Sequence, residues 1–209
     1  MMQQEIETQE KKPHKSLYVL PSLFTLANMC FGFFSIIYAF NGKFLHAAKV
    51  IVVAVLMDGL DGRIARATKT TSEFGLNFDS IVDVISFGVA PAVLVYAYWF
   101  KNMELGFFSW FYGFLFLAAG AARLARFNVQ TKKDNASGSY FIGLPIPGAA
   151  GLIGVLIWIN EIYLLNNSEI QNLWRRLAPA LVIILSFLMI SRIRYYSFKK
   201  IKYLYKFPI

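Results

Sequence analysis

Six long apolar runs constrain this chain more than any other feature of its sequence. They lie at residues 19–40, 45–67, 75–99, 105–127, 142–165 and 175–195. An apolar helix of about 20 residues crosses the hydrocarbon core of a bilayer. Because 57% of the 209 residues are hydrophobic and only 16% are charged, the runs leave no room for a separate soluble domain. The sequence therefore predicts an all-α integral membrane protein with six transmembrane helices.

Polar segments flank the predicted six-helix domain, which spans residues 17–196. The first segment, residues 1–16, contains acids and lacks the basic start and apolar centre of a signal peptide, so we expect a polar cytoplasmic tail. The last segment, residues 197–209, alternates cations with aromatic residues. This pattern is typical of a segment that lies on anionic lipid headgroups.

The cations predict the orientation of the helices. They precede the first run, separate the second from the third, follow the fourth and close the chain. Because Lys and Arg in short loops favour the cytoplasmic side, we expect both termini inside a cytoplasmic membrane. Arg175 and Arg176 weaken this pattern on the opposite side. Cations spread along membrane edges also differ from the single basic face of a nucleic-acid-binding protein, so no nucleic-acid partner is expected.

Four aspartates lie near the ends of two apolar runs. Asp58 and Asp61 are three residues apart, and Asp79 and Asp83 are four apart, so each pair shares one face of a helix. The two runs are joined by the short connection "TKTTSEFG", so the helices should be antiparallel neighbours. The four carboxylates should therefore converge near the cytoplasmic surface.

Such a cluster needs its charge cancelled, by protonation or by bound cations, because like charges repel strongly at short range. Oxygen ligands without Cys or His favour Mg²⁺ or Mn²⁺, and four carboxylates suit two ions about 4 Å apart. The single Cys30 excludes an intramolecular disulfide, and the wide separation of His14 and His46 argues against a histidine metal site. The alternative is that Asp58 and Asp61 form ion pairs with nearby arginines. That alternative would not explain why both aspartate pairs face the same region.

Glycines accompany the carboxylates. Gly59, Gly62 and Gly75 are costly inside a helix, but a bare backbone lets another group approach closely. Either a flat ligand or a neighbouring helix would account for them.

The complete pattern reads D-x-x-D-G-x-x-A-R, eight residues, then G-x-x-x-D-x-x-x-D, from Asp58 to Asp83. It resembles the signature of the CDP-alcohol phosphotransferase family at every fixed position. The resemblance implies a six-helix membrane enzyme, usually a homodimer, which transfers the phosphate-linked group of a CDP-alcohol to an acceptor hydroxyl and releases CMP.

Three further segments resemble one branch of that family, the CDP-diacylglycerol–serine O-phosphatidyltransferases. They are "LPSLFTLANMCFGFFSI", "ARLARFNVQ" and "YFIGLPIPGAAG". The branch implies CDP-diacylglycerol and L-serine as substrates and a place in phospholipid biosynthesis. Ser22 stands where that branch often has Asn, so no role is assigned to it. Archaetidylserine synthases share the pattern, which leaves the lipid class open.

Other functions remain alternatives. A sister enzyme could use glycerol 3-phosphate or inositol phosphate as acceptor. A cation-coupled transporter would also carry intramembrane carboxylates, but it usually needs more spans or an inverted repeat, and the aspartate pattern occurs once. A purely structural membrane anchor would not need the carboxylates.

The resemblance and the chemistry agree on the roles of the aspartates. Asp58, Asp61 and Asp79 would hold one ion, and Asp58, Asp79 and Asp83 the other. Asp83 is also the expected catalytic base, which takes the proton of the acceptor hydroxyl, because no histidine is placed to do so.

The remaining candidates are contacts to substrates. The resemblance assigns the CDP-lipid to Gly59, Gly62, Arg66, Ser72, Thr25 and Asn28. Helix capping would equally explain Ser72, and hydrogen bonding between helices would explain Thr25 and Asn28. Arg123 and Arg126 are candidates for the acceptor or a phosphate, with contact to lipid headgroups as the alternative. "GLPIPG", residues 143–148, should start or break the fifth helix, and Arg63 has no assigned role.

Overall fold

The computed structural model describes residues 16–68, 73–101, 103, 108–133, 140–164 and 168–196. The chain begins with α1 (Ser16–Phe40) and α2 (Phe44–Thr68). A third rod, residues 73–100, then runs without a break through α3 (Glu73–Asp83), the π-helical segment π1 (Val84–Val89), α4 (Ala90–Val95) and π2 (Tyr96–Phe100). Pro91 lies in this rod and has no N–H to donate to the preceding turn, which favours a change in helical hydrogen bonding there.

The second half of the chain contains three more long helical segments. They are α5 (Ser109–Lys133), α6 (Ile146–Ile159) with its extension π3 (Asn160–Leu164), and α7 (Ser168–Ile190). Two strands of three residues each, β1 (Tyr140–Ile142) and β2 (Arg194–Tyr196), form an antiparallel ribbon. The structure is therefore helical, as predicted, with one short ribbon that the sequence pattern did not predict.

Four helices in the described part of the chain are long and apolar enough to cross a membrane. They cover Leu23–Phe40, Phe74–Phe100, Ile146–Tyr163 and Glu169–Ile190. The helices α2 and α5 are not among the spans found in the described residues; α2 carries the first aspartate pair, and α5 carries Arg123 and Arg126. The prediction of six apolar spans is thus confirmed for four of them.

The seventh α-helix differs most from its predicted bounds. It begins at Ser168, whereas the apolar run begins at residue 175, and it ends at Ile190. Its first turn contains Glu169, whose negative charge stabilises a helix N-terminus. Arg175 and Arg176 therefore lie inside the helix and not in a loop between helices.

A tight turn connects the ribbon to α6. Gly143 has a φ of +77°, and its N–H donates to the carbonyl of Ile193 at 3.0 Å. A Cβ added at this position would lie 2.5 Å from the carbonyl oxygen of Met189, so only glycine fits. Pro145 precedes the first residue of α6. The prediction that "GLPIPG" starts a helix is confirmed, and Gly143 and the N–H of Leu144, which bonds the carbonyl of Leu188, hold the turn against α7.

The helices pack closely through small residues. The helix α2 packs against α1 and α6, and α5 packs against α7. A Cβ added at Gly154 of α6 would lie 3.2 Å from the carbonyl oxygen of Ala48 in α2. Ser35 of α1 donates to the carbonyl of Ala47 at 3.1 Å. Large apolar side chains such as Phe187 are exposed on the outer faces, as expected where a protein contacts lipid.

Candidate metal centre and its surroundings

Three carboxylates meet where α2 ends and the third rod begins. Asp58 lies in α2, and Asp79 and Asp83 lie one turn apart in α3. Each offers an oxygen atom that lies within 4.8 Å of the other two. Asp83 is buried, and Asp58 and Asp79 are half-buried. The structure therefore brings together three of the four aspartates that the sequence pattern singled out.

The donor set suits a hard divalent cation. Three negative charges this close repel one another, and the repulsion grows as water is excluded. A divalent cation offsets most of that charge, and carboxylate oxygens are the donors that Mg²⁺ and Mn²⁺ prefer. The cluster can therefore hold a metal ion.

Several predicted residues fall outside the described atoms. Asp61, Gly62, Arg63 and Arg66 continue the backbone of α2, but their side chains lie outside the described part of the structure. Ser72 lies outside the described residues altogether. Their roles stay predictions.

Arg123 and Arg126 have different surroundings, although they are three residues apart in α5. Arg123 is 7% exposed, interacts electrostatically with Asp83, and lies over the ring of Phe127, 5.5 Å from its centroid. Its buried Nε has no hydrogen-bond partner among the described residues. Arg126 instead donates from a terminal guanidinium nitrogen to the carbonyl of Ile190 at 2.8 Å, and so ties α5 to the end of α7.

The helix α1 brings two buried polar side chains into the same part of the bundle. Thr25 is 6% and Asn28 is 2% exposed. The backbone carbonyl of Asn28 accepts a hydrogen bond from Ser86 of π1 at 3.1 Å. The side-chain Oδ1 of Asn28 is buried and has no partner among the described residues. Hydrogen bonding between helices thus accounts for the backbone of Asn28 and not for this oxygen.

Gly59 lies beside Asp58 on an open surface. A Cβ added there would meet no atom within 4 Å. Tight packing against a described helix therefore does not explain this glycine, whereas a ligand or lipid could lie against its backbone.

Asn128 is a polar residue at this site that the sequence reasoning did not select. Its Nδ2 donates to Oγ of Ser80 at 2.9 Å, and Ser80 donates to the carbonyl of Leu76 at 3.0 Å. Ser80 directly follows Asp79, so this chain of bonds links α5 to the turn that carries two clustered carboxylates. The available signal was the position of Asn128 in "ARLARFNVQ", the segment that also carries both arginines.

The sequence matches the model of one protein family. Residues 18–191 match the CDP-alcohol phosphatidyltransferase family. The chain is 42% identical over 194 residues to a CDP-diacylglycerol–serine O-phosphatidyltransferase of Helicobacter pylori, a match that covers 91% of this chain and 77% of the relative.

Two further relatives are also similar. One, from Methanocaldococcus jannaschii, bears the same enzyme name and is 35% identical, with 93% of this chain and 82% of the relative covered. An archaetidylserine synthase of Methanothermobacter thermautotrophicus is 38% identical, with 86% and 70% covered. The family match spans nearly the whole bundle and includes the three clustered aspartates, and the chain belongs to the CDP-alcohol phosphatidyltransferase family.

Proposed function

We propose that this protein is a membrane enzyme of phospholipid biosynthesis that transfers the phosphatidyl group of CDP-diacylglycerol to L-serine and releases CMP. The observation that carries the proposal is the cluster of Asp58, Asp79 and Asp83 at the fixed positions of the family motif. The names of the relatives support serine as the acceptor.

The aspartates would hold the divalent cations. Asp61 would complete the set with its side chain, so that four carboxylates share two ions, Mg²⁺ or Mn²⁺. When bound, the ions neutralise the pyrophosphate of the CDP-lipid and make its phosphorus easier to attack. The carboxylates themselves fix where the pyrophosphate lies, at the junction of α2 and α3.

Asp83 is suited to remove the proton of the serine hydroxyl. In the net reaction, the serine oxygen forms a bond to the phosphorus that carries diacylglycerol. The bond from that phosphorus to CMP breaks, CMP leaves with the electron pair, and the hydroxyl proton passes to Asp83. General base catalysis of this kind contributes about 10²–10⁴-fold to a rate.

Arg123 would hold the carboxylate of serine. Its guanidinium is buried and interacts electrostatically with Asp83, so an acceptor held by Arg123 would present its hydroxyl toward the base. A guanidinium offers several donors in a fork that matches a carboxylate. Arg126 is already engaged with the carbonyl of Ile190, so we assign it to structure.

The CDP-lipid would lie between α1 and α2. The buried Oδ1 of Asn28 is suited to accept a hydrogen bond from the cytosine amino group, with Thr25 alongside on α1. The open backbone at Gly59 would admit the nucleotide, together with Gly62. Arg66 and Ser72 would contact phosphate.

The site would face the cytoplasm. We propose that α2 and α5 cross the membrane beside the four apolar helices, for a total of six spans, with both termini in the cytoplasm. The polar groups of α2 and α5 would then line the site, which explains their lower apolarity. The enzyme would act as a homodimer in the cytoplasmic membrane.

The test is the release of CMP by purified protein. With CDP-diacylglycerol and Mg²⁺ or Mn²⁺, we expect release with L-serine and none with glycerol 3-phosphate or inositol phosphate. A chelator should abolish release, and added metal should restore it. An Asp79→Asn variant purified in parallel controls for contaminating enzymes. Release of CMP with glycerol 3-phosphate but not with serine would reject serine as the acceptor, and the family assignment would still stand.

The similarity to an archaetidylserine synthase suggests a second lipid donor to test in the same assay. Because an archaetidylserine synthase covers 86% of this chain, a CDP-activated ether lipid should be offered beside CDP-diacylglycerol. A clear preference for the ether lipid at equal concentration would make archaetidylserine the product.

A further inference from the structure

A second polar cavity lies at the opposite end of the bundle from the aspartate cluster. It has a volume of about 480 Å³, which is within the range of ligand sites. Phe44 begins α2 and lines this cavity, whereas Asp58 lies 14 residues further along the same helix. At about 1.5 Å per residue this separates the two by about 21 Å, so the cavity is a distinct site.

Two of the residues that line this cavity have a buried polar atom without a described hydrogen-bond partner. Asn160, the first residue of π3, is 3% exposed, and Trp99 of π2 is 4% exposed. The Oδ1 of Asn160 and the Nε1 of Trp99 have no hydrogen-bond partner within the described ranges. One is an acceptor and the other a donor, and a buried polar group without a hydrogen-bond partner destabilises the folded protein. A ligand that both accepts and donates hydrogen bonds would satisfy the two.

The charges around the cavity favour an anion. Lys101 and Arg175 line it with positive charge, and Glu161 contributes one negative charge. The hydroxyl of Tyr98 donates a hydrogen bond to Glu161, and the ring of Phe44 packs edge-on against Tyr98 with centroids 5.1 Å apart. These contacts fix one wall and leave both cations at the open rim, where Lys101 and Arg175 are exposed. The described residues that line the cavity carry a net charge of +1, which matches the single negative charge of a phosphodiester.

We propose that this cavity binds the phosphate of a phospholipid headgroup. The cavity lies at the ends of helices that are apolar enough to cross a membrane, which is where headgroups are found. The phosphate would lie between Arg175 and Lys101 and accept a hydrogen bond from Trp99. An amine or hydroxyl of the headgroup would donate to Asn160. A soluble phosphate ester shares part of this chemistry but carries more negative charge than the rim provides.

The experiment measures ligand binding to the purified full-length protein in an uncharged detergent. Dihexanoyl phosphatidylglycerol, glycerol 3-phosphate and inorganic phosphate are titrated separately by calorimetry, with CMP present to occupy the nucleotide site. We expect Arg175→Gln to weaken binding of the lipid about tenfold or more, since a charge-assisted hydrogen bond is lost. Arg176→Gln is the matched control, because Arg176 neighbours it in α7 but does not line the cavity, and it should change affinity less than twofold. Asn160→Leu should weaken binding as well.

The outcomes separate the possibilities. Equal weakening in the Arg175 and Arg176 variants, or no change in either, would overturn the proposal. A further contrary outcome is that glycerol 3-phosphate binds as tightly as the lipid and depends on Arg175 in the same way. That result would overturn the lipid as the ligand and show that the cavity binds a soluble phosphate ester. If Asn160→Leu does not fold, the exposed Arg175 still decides. CMP release by Arg175→Gln reports separately on the aspartate site, so failure of one proposal is distinguishable from failure of the other.

Discussion

At the level of single residues, Asp83 has two properties that suit a catalytic base. It is the most buried of the three clustered carboxylates, and it interacts with the buried cation Arg123. A base that is shielded from water and adjacent to a group able to hold an acceptor can take a proton from a hydroxyl in a defined position.

The first prediction concerns the proposed role of Asp83 as the catalytic base. Asp83→Asn keeps the size of the side chain but cannot accept the proton, so CMP release should fall by about 10²–10⁴-fold. Binding of CDP-diacylglycerol, measured by calorimetry with metal present, should remain within a few-fold of the wild type, because Asp58, Asp61 and Asp79 remain. Asp58→Asn is the comparison, and it should weaken binding of the donor. Near-normal turnover in Asp83→Asn would remove Asp83 as the base.

The second prediction separates the two arginines of α5. Arg123→Gln should raise the KM for serine about tenfold or more, with little change in the KM for CDP-diacylglycerol, because a charged donor pair to the carboxylate is lost. Arg126→Gln should instead lower the melting temperature, because the bond to Ile190 is lost. An unchanged KM for serine in Arg123→Gln would contradict the assignment.

The sequence was sufficient to predict the aspartates but not to separate these arginines. Spacings of three and four residues place Asp58, Asp79 and Asp83 on helix faces, and a short connection brings the two helices together. Arg123 and Arg126 are also three residues apart, so helical periodicity places them on the same face and does not distinguish their roles. Their difference depends on where α7 ends, since Ile190 supplies the carbonyl that binds Arg126, and that is a tertiary contact between segments 64 residues apart.

At the level of elements, a contact between α5 and α3 supports the candidate metal centre. The bond from Asn128 to Ser80 joins the charged end of α5 to the turn that carries Asp79 and Asp83. Small displacements of this turn would change the distances among the carboxylates, so the bond is expected to affect both stability and turnover.

The third prediction tests this bond with a double-mutant cycle. Asn128→Ala and Ser80→Ala should each reduce the free energy of unfolding by about 1 kcal/mol and lower CMP release several-fold. Because both remove the same bond, the double variant should be less impaired than the sum of the two. Unfolding in detergent and initial rates provide the two readouts. Strictly additive effects would show that the side chains do not act together.

The helices were largely predictable, and the exceptions have physical reasons. Apolar runs located α1 and the third rod to within a few residues. They missed the start of α7, because Ser168 and Glu169 favour a helix N-terminus although they are polar. They also missed β1 and β2, since these three-residue strands pair with each other from distant parts of the chain and have no periodicity of their own.

At the level of the whole molecule, the two sites lie at opposite ends of the bundle. The aspartate cluster is near the end of α2, and the cavity lined by Lys101 and Arg175 is near the beginning of α2. If the cluster faces the cytoplasm, the cavity faces the opposite surface of the membrane. One protein would then contact headgroups of both leaflets.

The fourth prediction tests this orientation. In a Cys30→Ser background, which removes the single native cysteine, Lys43→Cys and Arg192→Cys place thiols at two exposed positions. A membrane-impermeant maleimide should label the Lys43→Cys variant in intact cells and the Arg192→Cys variant only in inside-out vesicles. The two variants control for each other, and the reverse pattern would invert the proposed topology.

The clustered carboxylates lie on two different helices, and this has a consequence for the stability of the fold. Asp58 belongs to one helix and Asp79 and Asp83 to another, so a cation bound by all three also clamps the two helices together. A ligand that binds only the folded state stabilises it by about 2.7 kcal/mol at 100 times its dissociation constant. The supply of divalent metal would therefore govern what fraction of the enzyme is folded in the membrane, and not only how fast it turns over.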